Sequence, residues 1–374
     1  MNLINISQMV PTTANVMYYS KIVKEKALLR NLITASSEIV EAVKTSGEAQ
    51  EILDFAEKRI FQIAEARATR TYDTISNILH KVADNIADLK NKADRGELGI
   101  VTGISTGFKS LDRMCSGFHE SELIIIAARP SMGKSSFAIN LASNMALNAD
   151  IPVAVFSLEM SKEQLTNRIL CSEAHVDLQK VKTGSISDDE WSKLVNTAGK
   201  LSNSKLIFDD EPGLNSRVLR AKARRLKREF GIKVILIDYL QLMSGNSRGN
   251  DSRQQEISEI SRSLKLLARE LDIVVVALSQ LSRAVEQRED KRPRLSDLRE
   301  SGAIEQDADM VMFLYRDAYY KRKKENDEGS LILNEEHESE LIIGKQRNGP
   351  VGTLKLMFKP TLATFYDIDW RHQE

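Results

Sequence analysis

The run Ala128-Arg129-Pro130-Ser131-Met132-Gly133-Lys134-Ser135 combines a small loop, a lysine and a hydroxyl that together can hold a chain of phosphates. It follows an apolar stretch, Leu123 to Ala127, and opens a helical pattern through Phe137, Ile139, Leu141 and Met145. Strand, turn and helix in that order are the setting a P-loop requires. Backbone N–H groups along Ser131, Met132, Gly133, Lys134, Ser135 and Ser136 would wrap the phosphates at the helix start. Lys134 would reach the β- and γ-phosphates, and the Ser135 hydroxyl would ligate Mg²⁺. Ala128 stands where a first glycine is usual, and it is the smallest replacement for one. A second run, Val234-Ile235-Leu236-Ile237-Asp238, reads as a buried strand ending in a carboxylate. Asp238 would hold the same ion through water. ATP and Mg²⁺ are the expected cofactors.

Hydrolysis needs a group that orients and deprotonates the attacking water. Tyr239, not a glutamate, follows Asp238, so the carboxylate must come from elsewhere. Glu159 follows the strand pattern Val153 to Ser157, one βα unit after the P-loop. In a doubly wound sheet the carboxyl ends of adjacent strands converge on one crevice, which makes Glu159 the expected general base. Gln280 closes the pattern Ile273 to Ser279 and can sense the γ-phosphate by the same geometry. It would pass that state to the segment Leu281 to Gln306. Two loops leave the same sheet edge with arginines. One is Ser244 to Ser252, with Arg248, and the other is Pro293 to Gly302, with Arg299. They could line a channel for a nucleic-acid backbone, and their lack of aromatics favours phosphate contacts over base stacking. The run Arg217 to Lys233 holds eight Lys or Arg against one acid and reads as a solvated helix face.

These residues need a frame. After residue 100, short β-rich runs alternate with amphipathic helical patterns, which predicts βα units and a mostly parallel sheet. Apolar runs such as Val234 to Ile237 fit strands covered on both faces. Leu341 to Gly344, Thr353 to Phe358 and Thr364 to Asp367 read as antiparallel strands, with Asn348-Gly349 as a hairpin signal between the first two. Before residue 100 there is one proline, Pro11, and apolar residues recur at helical spacing, as in Ile75, Ile78, Leu79, Val82, Ile86 and Leu89. The expected fold class is α/β preceded by an all-α segment. The expected division is 1–70 helical, 71–100 a linker helix region and 101–374 a P-loop ATPase domain.

Composition narrows the setting. The 374 residues carry 53 Lys plus Arg and 53 Asp plus Glu, so a uniformly basic coat is excluded while a local basic lining is not. Cys115 and Cys171 are far apart in sequence, and the five histidines form no HxxxH pair. A disulfide framework or zinc site is not expected, and a reducing cytoplasm fits. No apolar run reaches the ~20 residues of a membrane span, and the N-terminus lacks the features of a secretory signal.

Taken in order, AARPSMGKS, FSLEM, ILIDYLQLM, VALSQLSR, DLRESGAIEQDADMVMFLYR and KQRNGP resemble the motifs of DnaB-type replicative DNA helicases, from Thr102 to about Asp369. The resemblance implies a RecA-like P-loop NTPase domain, with Glu159 as catalytic base. It implies that Arg299, Glu300 and Gly302 hold single-stranded DNA. It also implies that Lys345 and Arg347 reach into a neighbouring subunit's nucleotide site. A homo-hexamer moving 5′ to 3′, with primase and a helicase loader as partners and the helix Thr71 to Lys92 packed on an adjacent motor domain, belongs to the same expectation. YYSKIVKEKALLRNLI resembles the later helices of that family's N-terminal domain, whose early helices have no counterpart here. Two alternatives share the nucleotide motifs: a RecA-like recombinase and an ATP-switched DNA clamp or loader.

Overall fold

The computed structural model describes residues 16–45, 52–53, 55–60, 75–94, 101–243, 253–298, 302–320 and 336–368. The chain divides into two compact units, Met1–Glu97 and Leu98–Glu374. In the first, α1 spans Val16–Lys44 and α2 spans Ile75–Asp94. Arg59, in the helical stretch 55–60, pairs with Glu38 of α1 at 2.6 Å. Ile75, Ile78, Leu79, Val82 and Ile86 of α2 are all exposed. Their spacing makes one apolar stripe along the helix.

The second unit is built on one nine-stranded sheet. In chain order its elements are α3 (Lys109–Cys115), β1 (Leu123–Ala128), α4 (Lys134–Ser143), β2 (Val153–Ser157), α5 (Lys162–Ala174), α6 (Leu178–Thr183), α7 (Asp188–Ser202) and β3 (Leu206–Asp209). Then follow α8 (Ser216–Phe230), β4 (Val234–Asp238), α9 (Arg253–Leu271), β5 (Val274–Gln280), α10 (Gly302–Asp307), β6 (Met310–Tyr315), β7 (His337–Gln346), β8 (Gly352–Lys359) and β9 (Thr364–Asp367). The strand order is β3-β2-β4-β5-β1-β6-β7-β8-β9. β3 through β6 pair in parallel, and β6 through β9 pair antiparallel.

The parallel strands are apolar without alternation because both faces are covered. Ile124 and Ile126 of β1 join the core with Phe137 and Leu141 of α4 and Leu165 of α5. Leu123 and Ile125 join the opposite core with Leu219 of α8 and Ile257, Ile260 and Leu264 of α9. A strand that alternates between two hydrophobic layers has no solvent face to spare. The antiparallel β7, β8 and β9 extend that sheet at the β6 edge rather than forming a separate one.

Four cations of the basic helix α8 pair with carboxylates. Arg220 and Arg224 pair with Glu270, Lys222 with Asp209 and Glu211, and Arg225 with Glu229. No described helix is long and apolar enough to cross a membrane.

Candidate active site

The sheet order sets where chemistry can occur. The P-loop, Glu159, Asp238 and Gln280 leave the carboxyl ends of β1, β2, β4 and β5, all on one side of the sheet. There a cleft of about 530 Å³ is lined by Ser131, Gly133, Lys134, Ser135 and Ser136, together with Glu159, Tyr239 and Gln280.

The loop backbone is shaped for an anion. Ser131 has φ +67° and Gly133 φ +94°. A Cβ on Gly133 would also stand 2.9 Å from Phe365 Cζ, so both conformation and space require glycine. Gly133 caps α4 with no side-chain hydrogen bond, which leaves the first-turn N–H groups for a phosphate. Met132 is only 1% exposed and its side chain packs in the core, so it can offer a phosphate only its backbone. Ala128, at the usual glycine position, is buried at the end of β1 opposite Gln280 in the parallel register.

Lys134 Nζ lies 3.5 Å from Asp238 Oδ1 and 4.2 Å from the centre of the Tyr239 ring. Burial pulls the Lys134 ammonium below the usual lysine range, and the carboxylates of Asp238 and Glu159 oppose that pull. Asp238 Oδ1 is buried and accepts no hydrogen bond from the described residues. It keeps a lone pair for a metal-bound water. Among the described residues no group of three or more His, Cys, Asp or Glu could hold a metal ion. One carboxylate and one hydroxyl are the donor set that Mg²⁺ accepts, since it keeps several waters and takes further oxygens from phosphates.

Glu159 lines the cleft, but not from a strand adjacent to the P-loop strand. β4 and β5 separate β2 from β1 in the sheet. The turn after β2 is held by two hydrogen bonds. Leu158 N donates to Asp238 O at 2.7 Å, and Ser157 Oγ donates to Met160 O at 2.7 Å. Gln280 is the last residue of β5 and is clamped by a residue that sequence reading passed over. Gln241 Oε1 accepts from Gln280 N at 3.2 Å, and Gln241 Nε2 donates to Ser279 Oγ at 3.0 Å.

Two more arginines line the cleft that spacing did not single out. Arg316, just past β6, donates to Ser131 O at 3.4 Å and stacks on Phe358 at 4.1 Å. Its position at a strand end, like that of Gln280, is the signal that could have found it. Arg168 lines the same cleft from the middle of α5, where no local pattern marks it.

Lys345 and Arg347 lie elsewhere. Lys345 Nζ donates to the carbonyls of Glu305, Gln306 and Ala308, the last at 2.7 Å, at the end of α10. Arg347 Nη2 donates to Gln306 O at 2.6 Å. Neither is among the residues lining the cleft of their own chain. Gly302 opens α10, with nothing within 4 Å of where a Cβ would stand. Arg248, Arg299 and Glu300 lie outside the described residues.

Comparison with known proteins identifies the family. Residues 103–367 match the DnaB-like helicase C terminal domain. The chain is 49% identical over 373 residues to the Replicative DNA helicase DnaC of Bacillus subtilis (strain 168), covering 100% of this chain and 79% of that protein. It is 49% identical over 370 residues to the Replicative DNA helicase DnaB of Geobacillus stearothermophilus, covering 99% and 78%. A solved DnaB-like replicative helicase, studied for its interactions with primase, superposes with TM-score 0.76 at 38% identity, covering 98% of this chain and 82% of that one.

Proposed function

The chain belongs to the DnaB-like replicative DNA helicases, ATP-hydrolysing enzymes, and from that membership we propose how its residues divide the work. Family membership also decides for a helicase over a recombinase or a switched clamp. The observation that carries the assignment is the convergence of Lys134, Glu159, Tyr239 and Gln280 on one cleft beside the Lys134–Asp238 pair.

ATP binds with its phosphates on the P-loop backbone and the start of α4, and Lys134 sits against the β- and γ-phosphates. Ser135, with Asp238 through water, would hold Mg²⁺, which when bound neutralises charge on the phosphate oxygens. Glu159 takes the proton of the attacking water. Gln280 reads whether the γ-phosphate is present. Arg347, with Lys345, completes the cleft of a neighbouring copy, so the working unit is a ring, and we propose a homo-hexamer. Single-stranded DNA is held by Arg299, Glu300 and Gly302, with Arg248 on a companion loop, and the motor advances 5′ to 3′. Residues 1–70 are the helical domain and 71–100 the linker region, whose apolar stripe on α2 packs on an adjacent motor domain (101–374). Primase and a helicase loader are the proposed protein partners. The primase reading is supported by the primase interactions studied for the similar solved helicase. A cytoplasmic setting belongs to the same reading.

The test is ATP hydrolysis with and without single-stranded DNA, on protein whose mass is followed by light scattering. A ring-sized species with DNA-stimulated turnover and strand unwinding is expected. A monomer with full turnover would remove the trans-completed site.

A further inference from the structure

Arg129 borders the nucleotide cleft, but its side-chain partners, Glu286 and Leu281, lie outside it. It is 8% exposed. Its Nε donates to Glu286 Oε1 at 2.9 Å, and its Nη1 donates to Leu281 O at 2.8 Å. Leu281 N in turn donates to Ala128 O at 3.1 Å. The start of the P-loop is thus tied twice to the segment that leaves β5, by backbone and by guanidinium.

That segment carries the tie onward. Ser282 N donates to Asp297 O at 3.3 Å. Asp297, 7% exposed, gathers the rest of the segment. Its Oδ2 accepts from Arg288 Nη2 at 2.6 Å and from Arg294 N at 2.7 Å. Val285, Leu281 and Leu298 are buried in the same core as α9, so the segment is a packed piece, not a slack loop. Asp297 stands two residues before Arg299 in the chain.

We infer that Arg129 and Glu286 form the mechanical link between the nucleotide cleft and the DNA-holding segment, positioning that segment according to what the P-loop holds. This rests on the reading of residues 299–302 as the DNA contact. A buried guanidinium needs an anionic partner, because an unpaired charge in a low dielectric is costly. With Glu286 in place, Arg129, which borders the cleft, is anchored to the segment after β5. With the carboxylate neutralised, the guanidinium loses its charged acceptor and the two segments uncouple. Gln280 lies between them on β5, so the sensor and the link act on the same piece of chain.

The experiment uses the full chain carrying Glu286→Gln, which lies outside the nucleotide and DNA contacts. Basal ATP turnover is expected to be unchanged, while its stimulation by single-stranded oligonucleotide falls about fivefold or more, the range of ordinary coupling energies. Reciprocity of binding adds a second readout. The change in oligonucleotide affinity caused by a non-hydrolysable ATP analogue shrinks as well. Arg288→Gln, which cuts the link at its far end, is expected to give the same pattern, and it serves alone if Glu286→Gln does not fold. Glu286→Asp is expected to restore part of the stimulation. Wild-type stimulation in both variants would overturn the link. Basal and stimulated rates falling in step would overturn it too, since a merely supporting contact behaves so. Arg299→Ala separates the underlying reading. Undiminished oligonucleotide binding there removes the DNA contact itself, whereas weakened binding with intact stimulation in Glu286→Gln removes the link alone.

Discussion

Arg347 N donates to Asp309 O at 2.9 Å, and its guanidinium lies 3.3 Å from Asp309 Oδ1. Asp309 Oδ2 accepts from Leu123 N, the first residue of β1. Past the other end of that strand the P-loop continues at Arg129, six residues on. At about 3.3 Å per residue the separation is roughly 20 Å, beyond the reach of an arginine side chain. Arg347 thus lies outside the cleft of its own chain. Arg347→Ala alone is expected to lose on the order of 10³-fold or more in turnover, as for a missing arginine finger. Mixed with Lys134→Ala, it is expected to regain measurable hydrolysis, because one variant supplies the P-loop and the other the finger. Steady-state rates of the mixtures check this. A fully active Arg347→Ala would end the trans assignment.

Glu159 and Lys134 should separate binding from chemistry. Glu159→Gln is expected to keep ATP affinity and lose about 10²- to 10⁴-fold in turnover, the usual contribution of a general base. Lys134→Ala removes the cation at the phosphates and is expected to lose both. Calorimetric binding beside single-turnover rates distinguishes the two, and lost affinity in Glu159→Gln would point to a structural role instead.

Gln241 holds the backbone of Gln280 and does not itself line the cleft. Gln241→Ala is expected to lower kcat by about 10- to 100-fold through misplacement of Gln280, with little change in KM. A raised KM at constant kcat would contradict this.

Glu190 caps α7, accepting from Ser187 N at 2.9 Å and from Lys180 Nζ at 2.7 Å. The hydrogen bond from Lys180, then that from Ser187, hold its carboxyl down to about 2. A depressed carboxylate stabilises fully above its unfolded value of about 4.3 and loses that contribution as pH falls toward 2. The gap in melting temperature between wild type and Glu190→Gln should therefore be widest near neutrality and close on acidification. A gap independent of pH would show that the charge is not what matters.

Cys115 is buried, and burial pushes its thiol up to about 12. The thiolate is the reactive form, so native protein at about pH 8 should resist iodoacetamide at Cys115 and react there only once unfolded. Peptide mapping by mass spectrometry reads this directly, and rapid native labelling would show that the site opens.

Much of this protein was legible in local pattern. The P-loop, the strand ending in Asp238 and the alternation of apolar strands with helices depend on neighbours in sequence, and backbone geometry turns such spacing directly into a turn or a face. Glu159 and Gln280 were also reachable, because a strand's carboxyl end is a position that chain order marks. The order of the strands was not. The separation of β2 from β1 by β4 and β5, and the continuation of the sheet into β7, β8 and β9, follow from which surfaces bury one another. Arg168, Arg316, Gln241 and the Arg129–Glu286 pair come from distant parts of the chain. Only packing brings them together, and a hydrogen bond between residues far apart in sequence leaves no periodic trace in either. The sequence by itself determined the chemistry available. The tertiary structure decided which groups share the cleft and that Arg347 lies outside it, because packing, not local spacing, sets which strand ends meet.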